Sequence, residues 1–100
     1  MQQLVHTFNQ HHHRKPMSTH ARLLDAQSEL GELAKAYLES SHYGTQDFTL
    51  TQDFALEFGD VLYCLLSLAD ELKIDAKQCL QAALQKYQTR LDQKQSMGSK

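Results

Sequence analysis

Two short acidic pairs are the residues of this chain whose types and spacing could do chemistry. The first pair stands in Glu29-Leu-Gly-Glu32 and the second in Glu57-Phe-Gly-Asp60. The i, i+3 spacing places both acids of a pair on one face of a helix, about 4.5 Å apart along its axis. If two such helices lie side by side, four carboxylates converge and repel one another. A hard divalent cation, which prefers oxygen ligands, would remove that repulsion, so the pattern predicts a metal site.

An isolated acidic pair is more commonly part of a solvated surface. The surroundings of these acids nevertheless favour a metal site. Both pairs lie in apolar stretches, and Gly31 and Gly59 each precede the second acid of a pair. Glycine inside a helix costs about 1 kcal/mol relative to alanine. We therefore expect its small size to serve a close approach of the helices or to leave room for a ligand.

Composition predicts one small all-α domain. The 100 residues are 41% apolar and 22% charged, with one proline and four glycines. The net charge of −2 comes without a basic stripe, which argues against nucleic acid as a partner. The longest strongly apolar stretch, Val61 to Ala69, is too short to cross a membrane. No signal peptide is expected at the start of the chain, and Cys64 and Cys79 are expected to be reduced thiols in the core of a cytoplasmic protein.

Helical periodicity predicts four helices, at about 2–13, 19–40, 50–72 and 76–93, followed by a loose tail at 95–100. Pro16 is expected to end the first helix. The expected N-caps are Ser18, Thr49 with Gln52, and Asp75 with Gln78. Gly44 is expected to turn the loop between the second and third helices.

Apolar stripes should mark the faces that these helices bury. In the second helix they are Leu23, Leu30, Leu33, Ala34, Tyr37 and Leu38, and in the fourth Leu80, Ala83, Leu84, Tyr87 and Leu91. The third helix is apolar on nearly every side from Val61 to Ala69. A chain this small cannot cover such a helix by itself, which predicts a subunit interface.

The order of the motifs resembles the MazG-like all-α nucleoside triphosphate pyrophosphohydrolases. Three segments carry the resemblance, Ser28 to Lys35, Glu57 to Tyr63 and Leu68 to Asp75, and it extends over about Arg22 to Arg90. The spacer between the two acidic pairs is within the range of that family. Each half-motif is weak alone, but the two together are fairly specific.

The resemblance implies a MazG-like four-helix bundle that completes its core as a homodimer or homotetramer. It also implies Mg²⁺ as cofactor, with Mn²⁺ as a substitute, and cleavage of a (d)NTP to the monophosphate and pyrophosphate in nucleotide-pool house-cleaning. By position, the metal ligands and catalytic acids of the family match Glu29, Glu32, Glu57 and Asp60. Which of the four orients the attacking water is left open. Asp25 and Asp53, one turn before each pair, are either outer partners of the ligands or solvated side chains.

The last helix is implied to bind the substrate. Lys86 matches a lysine that helps to hold the triphosphate, and Arg90 stands where many members of the family have asparagine near the nucleotide. Tyr87 could stack on the base, although its helical spacing fits core packing first. A second departure from the family is Ser28, which replaces a glutamate of the usual motif. These departures leave the preferred nucleotide open.

Two rival interpretations exist. A di-iron protein needs Glu-x-x-His on two helices, and the chain has a single such spacing, Glu39-Ser-Ser-His42, at a helix end. A non-catalytic nucleotide-binding or helical interaction module that retains the fold is the stronger alternative. The presence of all four acids favours the enzyme.

Overall fold

The computed structural model describes residues 1–12 and 18–98 and confirms an all-α chain. Its helices are α1 (Gln2–His11), α2 (Thr19–Ser40), α3 (Gln52–Leu72) and α4 (Ala76–Gly98). Compared with the prediction, α1 ends earlier, α3 begins later, and α4 continues through the first part of the tail that was expected to be loose. The predicted break at Pro16 lies outside the described residues.

Two of the predicted N-caps are confirmed. The hydroxyl of Ser18 accepts a hydrogen bond from the backbone N–H of Ala21 at 3.1 Å, and the carboxylate of Asp75 accepts one from Gln78 at 3.1 Å. Each bond satisfies a backbone donor that the first turn of a helix would otherwise leave without a partner. These caps fix where α2 and α4 begin.

The predicted cap of α3 at Thr49 is wrong. The N-cap is Thr51, whose hydroxyl accepts a hydrogen bond from the backbone N–H of Phe54 at 3.1 Å. Thr49 and Thr51 carry the same capping group, so residue type does not distinguish them. The loop before this cap turns at Gly44, as predicted, with a φ of 84° that glycine adopts without strain.

Helix α2 packs antiparallel on α3, but not through its predicted leucine stripe. The face against α3 consists of buried Arg22, buried Ala26 and half-buried Glu29, at i, i+4 and i+7. Leu23 and Leu30 are 57% and 56% exposed. Hydrophobic periodicity found a real stripe on α2, but only part of it contacts the rest of the chain: Leu33 is half-buried and Tyr37 stacks on Phe48.

A buried ion pair ties α2 to the end of α3. The Arg22 Nε donates to the Oε1 of Glu71 at 3.0 Å, and the two side chains are only 4% and 17% exposed. Burial alone would lower the pKa of Arg22, but the hydrogen bond and the charge of Glu71 raise it above its ordinary value. The guanidinium therefore stays charged, and the pair sets the register of the two helices.

Helix α1 holds the junction between α3 and α4. The side chain of Gln2 donates to the carbonyl of Ile74 at 2.8 Å and accepts from the backbone N–H of Ala76 at 2.7 Å. The ring Nδ1 of His6 lies 2.8 Å from a carboxylate oxygen of Asp70 on α3. These contacts fasten both sides of the short connection that ends at Ala76.

Helix α4 projects away from the other three helices. Every residue in 77–95 except Ala83 is exposed, and a groove of about 1090 Å³ opens between α1, the end of α3 and the start of α4. The radius of gyration is 17.7 Å, whereas a compact domain of this length has about 13 Å. Within one chain the bundle therefore comprises α1, α2 and α3, and α4 remains uncovered.

The two cysteines have different environments. Cys64 on α3 is buried as predicted, but Cys79 on α4 is exposed, so the prediction of a core position for Cys79 is wrong. Its helix has no neighbour to bury it. None of the helices in the described part of the chain is long and apolar enough to cross a membrane.

The buried ion pair predicts an asymmetric effect on stability. Arg22→Ala removes the cation that donates to the buried carboxylate of Glu71, so the free energy of unfolding should fall by roughly 3 kcal/mol. Denaturant titration followed by helical circular dichroism measures this change. The matched control is Arg90→Ala, an exposed arginine on α4, which should change stability by less than about 0.5 kcal/mol. Equal midpoints for the two variants would contradict the assigned role of Arg22.

Candidate metal site

The antiparallel packing of α2 on α3 brings acids from both helices to one place. Successive contacts run forward along α2 and backward along α3, in the order Arg22 with Glu71, Asp25 with Cys64, and Glu29 with Glu57 and Asp60. The carboxylates are therefore placed by the same register that the buried ion pair fixes.

Three of the four predicted acids form a compact cluster, which we call the acidic triad: Glu29, Glu57 and Asp60. One carboxylate oxygen from each lies within 4.8 Å of the other two. Glu29 and Glu57 are half-buried and Asp60 is exposed. The triad therefore has an inner side, formed by the helix pair, and an outer side open to a ligand.

Glu32 lies outside the triad. It is exposed on α2, one turn beyond Glu29. Its negative charge still contributes to raising the pKa of Glu29, so it lies close enough to act on the cluster.

The electrostatics of the site are dominated by repulsion among its acids. Burial raises the pKa of Glu29, and the charges of Asp60, Glu57, Asp25 and Glu32 raise it further, in that order. Every contribution comes from burial or from another acid. A bound cation would oppose all of these effects and lower the pKa of Glu29.

The donor set fits a small divalent cation. Carboxylate oxygens are the ligands that Mg²⁺ prefers, at about 2.1 Å, so two oxygens on opposite sides of the ion lie about 4.2 Å apart. The triad spans 4.8 Å, and small rotations of the side chains would close the difference. Such an ion would be held by Glu29, Glu57 and Asp60.

Asp25 supports the inner side of the triad. Its Oδ2 accepts a hydrogen bond from the Sγ of Cys64 at 3.4 Å, and its charge acts on Glu29 one turn further along α2. Burial raises the pKa of the Cys64 thiol to about 11, and the hydrogen bond and charge of Asp25 act in the same direction. Cys64 is therefore a neutral donor that orients Asp25.

The two helical glycines do not serve close packing of α2 on α3. A Cβ added at Gly31 or Gly59 would meet no atom within 4 Å in the described chain. The expectation of a close helix approach is therefore wrong within one chain. Space beside the acids is the alternative that remains.

The predicted substrate-binding residues are not brought to the triad within one chain. Lys86 and Arg90 are exposed on α4, which does not pack along α2 or α3. The Lys86 Nζ lies 5.2 Å from the ring centroid of Tyr87, which is 51% exposed. Neither cation forms an ion pair in the part of the chain that the structure describes.

A group of aromatic residues at the open end of the α2–α3 pair was missed from the sequence. Phe48 stacks on Tyr37, with ring centroids 4.7 Å apart, and meets Phe54 edge-on at 5.0 Å. Phe48 lies in the loop, where no periodic pattern indicates a contact. Its aromatic type shortly before a helix N-cap was the available signal, and the ring contacts tie the loop to α2 and α3.

No family model matches this chain, and neither curated proteins nor solved structures give a match. The resemblance to the MazG-like family therefore stays a prediction from motif spacing. The geometry of the acidic triad is the observation on which a function can be argued.

The raised pKa of Glu29 predicts a pH-dependent effect on stability. The folded state binds the proton of Glu29 more tightly than the unfolded state, so stability falls as pH rises from the ordinary carboxyl range through the raised pKa. In metal-free buffer at about pH 7, Glu29→Gln should therefore raise the thermal midpoint, and the gain should vanish near pH 3, where carboxyls are protonated. Differential scanning calorimetry measures both midpoints.

The matched control for Glu29→Gln is Asp47→Asn, in the exposed loop between α2 and α3. It should change the midpoint little at either pH. A loss of stability in Glu29→Gln at neutral pH would contradict the like-charge cluster.

The two thiols should differ sharply in reactivity. At about pH 8 the exposed Cys79 should react quickly with an aromatic disulfide reagent, whereas Cys64, 3% exposed with a pKa of about 11, should react only after unfolding. Absorbance of the released thiolate measures both rates. Cys79→Ser should remove the fast phase alone, and two equally fast thiols in the native protein would rule out the contact with Asp25.

Proposed function

We propose that this protein is a Mg²⁺-dependent nucleoside triphosphate pyrophosphohydrolase that cleaves a (d)NTP to the monophosphate and pyrophosphate. The observation that carries the proposal is the acidic triad, with ligands from two helices and one open side. House-cleaning of the nucleotide pool in the cytoplasm is the task we propose. Two free thiols, Cys64 and Cys79, are consistent with a reducing compartment.

The charge of the site limits what it can bind. A triphosphate carries about four negative charges and would be repelled by the triad unless a cation lay between them. Mg²⁺, when bound, supplies the positive charge that offsets both groups and polarises the phosphoryl oxygens. Mn²⁺ has the same oxygen preference and would substitute for it.

The acids of this chain then divide into two roles. Glu29, Glu57 and Asp60 hold the cation, and Glu29 and Glu57 are kept in place by their half-buried position on packed helices. Glu32 is exposed one turn from Glu29, so it remains available to accept a proton from the attacking water. Asp25, oriented by Cys64, supports Glu29 from behind.

Substrate recognition is assigned to α4. Lys86 and Arg90 are cations one turn apart on an exposed helix, a spacing suited to adjacent phosphate groups. Tyr87 lies between them with half of its surface exposed, available to stack on a base. These residues need α4 to be placed against a triad, and we propose a homodimer or homotetramer as the functional assembly.

A non-catalytic nucleotide-binding or helical interaction module is the second candidate. The separation of Lys86, Tyr87 and Arg90 from the triad within one chain favours it. Incubation with canonical and modified NTPs plus Mg²⁺ discriminates between the two. Pyrophosphate release supports the enzyme, whereas nucleotide binding without release supports the module.

Removal of a single charge from the triad should abolish turnover and leave the fold intact. Glu57→Gln or Asp60→Asn should lower the rate of pyrophosphate release by roughly two orders of magnitude or more. The helical circular dichroism signal should not change, because neither carboxylate forms an ion pair among the described residues.

The matched control is Asp47→Asn, which changes an exposed acid outside the site and should keep full activity. Normal turnover in Glu57→Gln, with the wild-type enzyme active, would exclude the triad as the catalytic centre.

A further inference from the structure

The single chain exposes far more surface than a folded monomer of its mass. Its solvent-accessible area is 8065 Å², whereas about 5,800 Å² is expected for a monomeric protein of this size. Each partner in a standard stable interface buries about 800 Å². The excess, about 2,300 Å², is more than enough to form such an interface.

The exposed surface contains two apolar stripes. Both have members four and seven residues apart, a spacing that lets helices pack side by side. On α4 the stripe is Leu80, Leu84 and Leu91, and on α2 it is Leu23, Leu30 and Ala34. Neither stripe is covered by the described part of its own chain.

Charge favours contact between α4 and the other helices. Helix α4 carries Lys77, Lys86, Arg90 and Lys94 against one acid, Asp92. Helix α3 carries only acids, which are Asp53, Glu57, Asp60, Asp70 and Glu71. Asp70 and Glu71 are already paired with His6 and Arg22, which leaves Asp53, Glu57 and Asp60 as the complement of the cations on α4.

The junction at the start of α4 opposes closure onto its own chain. Lys73 ends α3 in the left-handed region, with φ of 58°, and the side chain of Gln2 bonds on both sides of the connection, to Ile74 and Ala76. These contacts fix the start of α4 beside α1 and the end of α3. Docking of α4 onto a second copy leaves them intact.

We infer that α4 of each chain packs its apolar stripe on the α2 stripe of a second copy and places Lys86 and Arg90 beside the triad of that copy. The occupant of the exposed face is thus this chain itself, in a two-fold dimer with two equivalent sites. The inference rests on the proposed function for the role of the two cations as phosphate ligands. Each site is incomplete without the partner, because its acids and its cations come from different chains.

Complementation between two inactive variants tests this exchange. One variant is Glu57→Gln and the other is Lys86→Ala with Arg90→Ala, and the two are co-expressed with different affinity tags. In a heterodimer with exchanged helices, one site has both defects and the other has none. Random assortment should therefore restore about a quarter of wild-type pyrophosphate release to the mixture. If the mixture only averages the two variants, α4 serves its own chain and the inference is overturned.

A second measurement tests the contact between Lys86 and the triad of the second copy without relying on activity. Equal amounts of ¹⁴N- and ¹⁵N-labelled wild-type protein are unfolded, refolded together and treated with a carbodiimide, which joins an amine to a carboxylate in direct contact. We expect Lys86 linked to an acid of the triad or to Glu32, with about half of these peptide pairs carrying mixed isotopes. If every linked peptide pair carries a single isotope, or if no such link forms, the inference is overturned.

Lys86→Gln is the matched control for the cross-link and should remove it. The two measurements also separate the inference from the proposed function. Mixed-isotope links in a wild-type protein that releases no pyrophosphate from any NTP would support the exchange of α4 and refute the enzyme. Pyrophosphate release with links confined to one chain would support the enzyme and refute the exchange.

Discussion

Two packed helices hold several carboxylates close together against their mutual repulsion. This repulsion is the interaction on which the rest of the structure depends. Helix α2 cannot pack on α3 in the observed register without bringing Glu29 to Glu57 and Asp60. The register is fixed elsewhere, by the buried pair of Arg22 and Glu71. Stability gained at one end of the helix pair thus maintains an unfavourable charge cluster in its middle. Such local conflict in an otherwise consistent fold is typical of functional sites.

The sequence was sufficient to predict the helices and the pairing of the acids, because both follow from local rules. Periodicity placed four helices, and Ser18 and Asp75 cap two of them as their side-chain chemistry requires. The i, i+3 spacing put each acidic pair on one helix face, and antiparallel packing brought three of the four acids together. Glu32 remained outside the triad because the register of α2 on α3, which spacing alone does not fix, places it on the exposed side.

Which face of each helix is buried could not be predicted from local rules. Hydrophobic periodicity identifies an apolar stripe but not the molecule that covers it, so Leu23 and Leu30 were expected in the core and are exposed. A polar face took their place against α3, through the long-range pair of Arg22 with Glu71, which no local pattern reveals. The exposed Cys79 follows from the same cause, since α4 does not pack along any other helix in the described part of the chain. The helix faces that were predicted wrongly are on the two helices, α2 and α4, that we infer to pack against a second copy.

The central claim is that acids from α2 and α3 together form one site for a divalent cation. Titration of ¹⁵N-labelled protein with Mn²⁺ tests it most directly, because a bound paramagnetic ion broadens the backbone signals of nearby residues. We expect the signals around residues 29, 57 and 60 to broaden first and together, and excess Mg²⁺ to restore them. Weak broadening spread over all acidic residues, or broadening around one helix only, would contradict it.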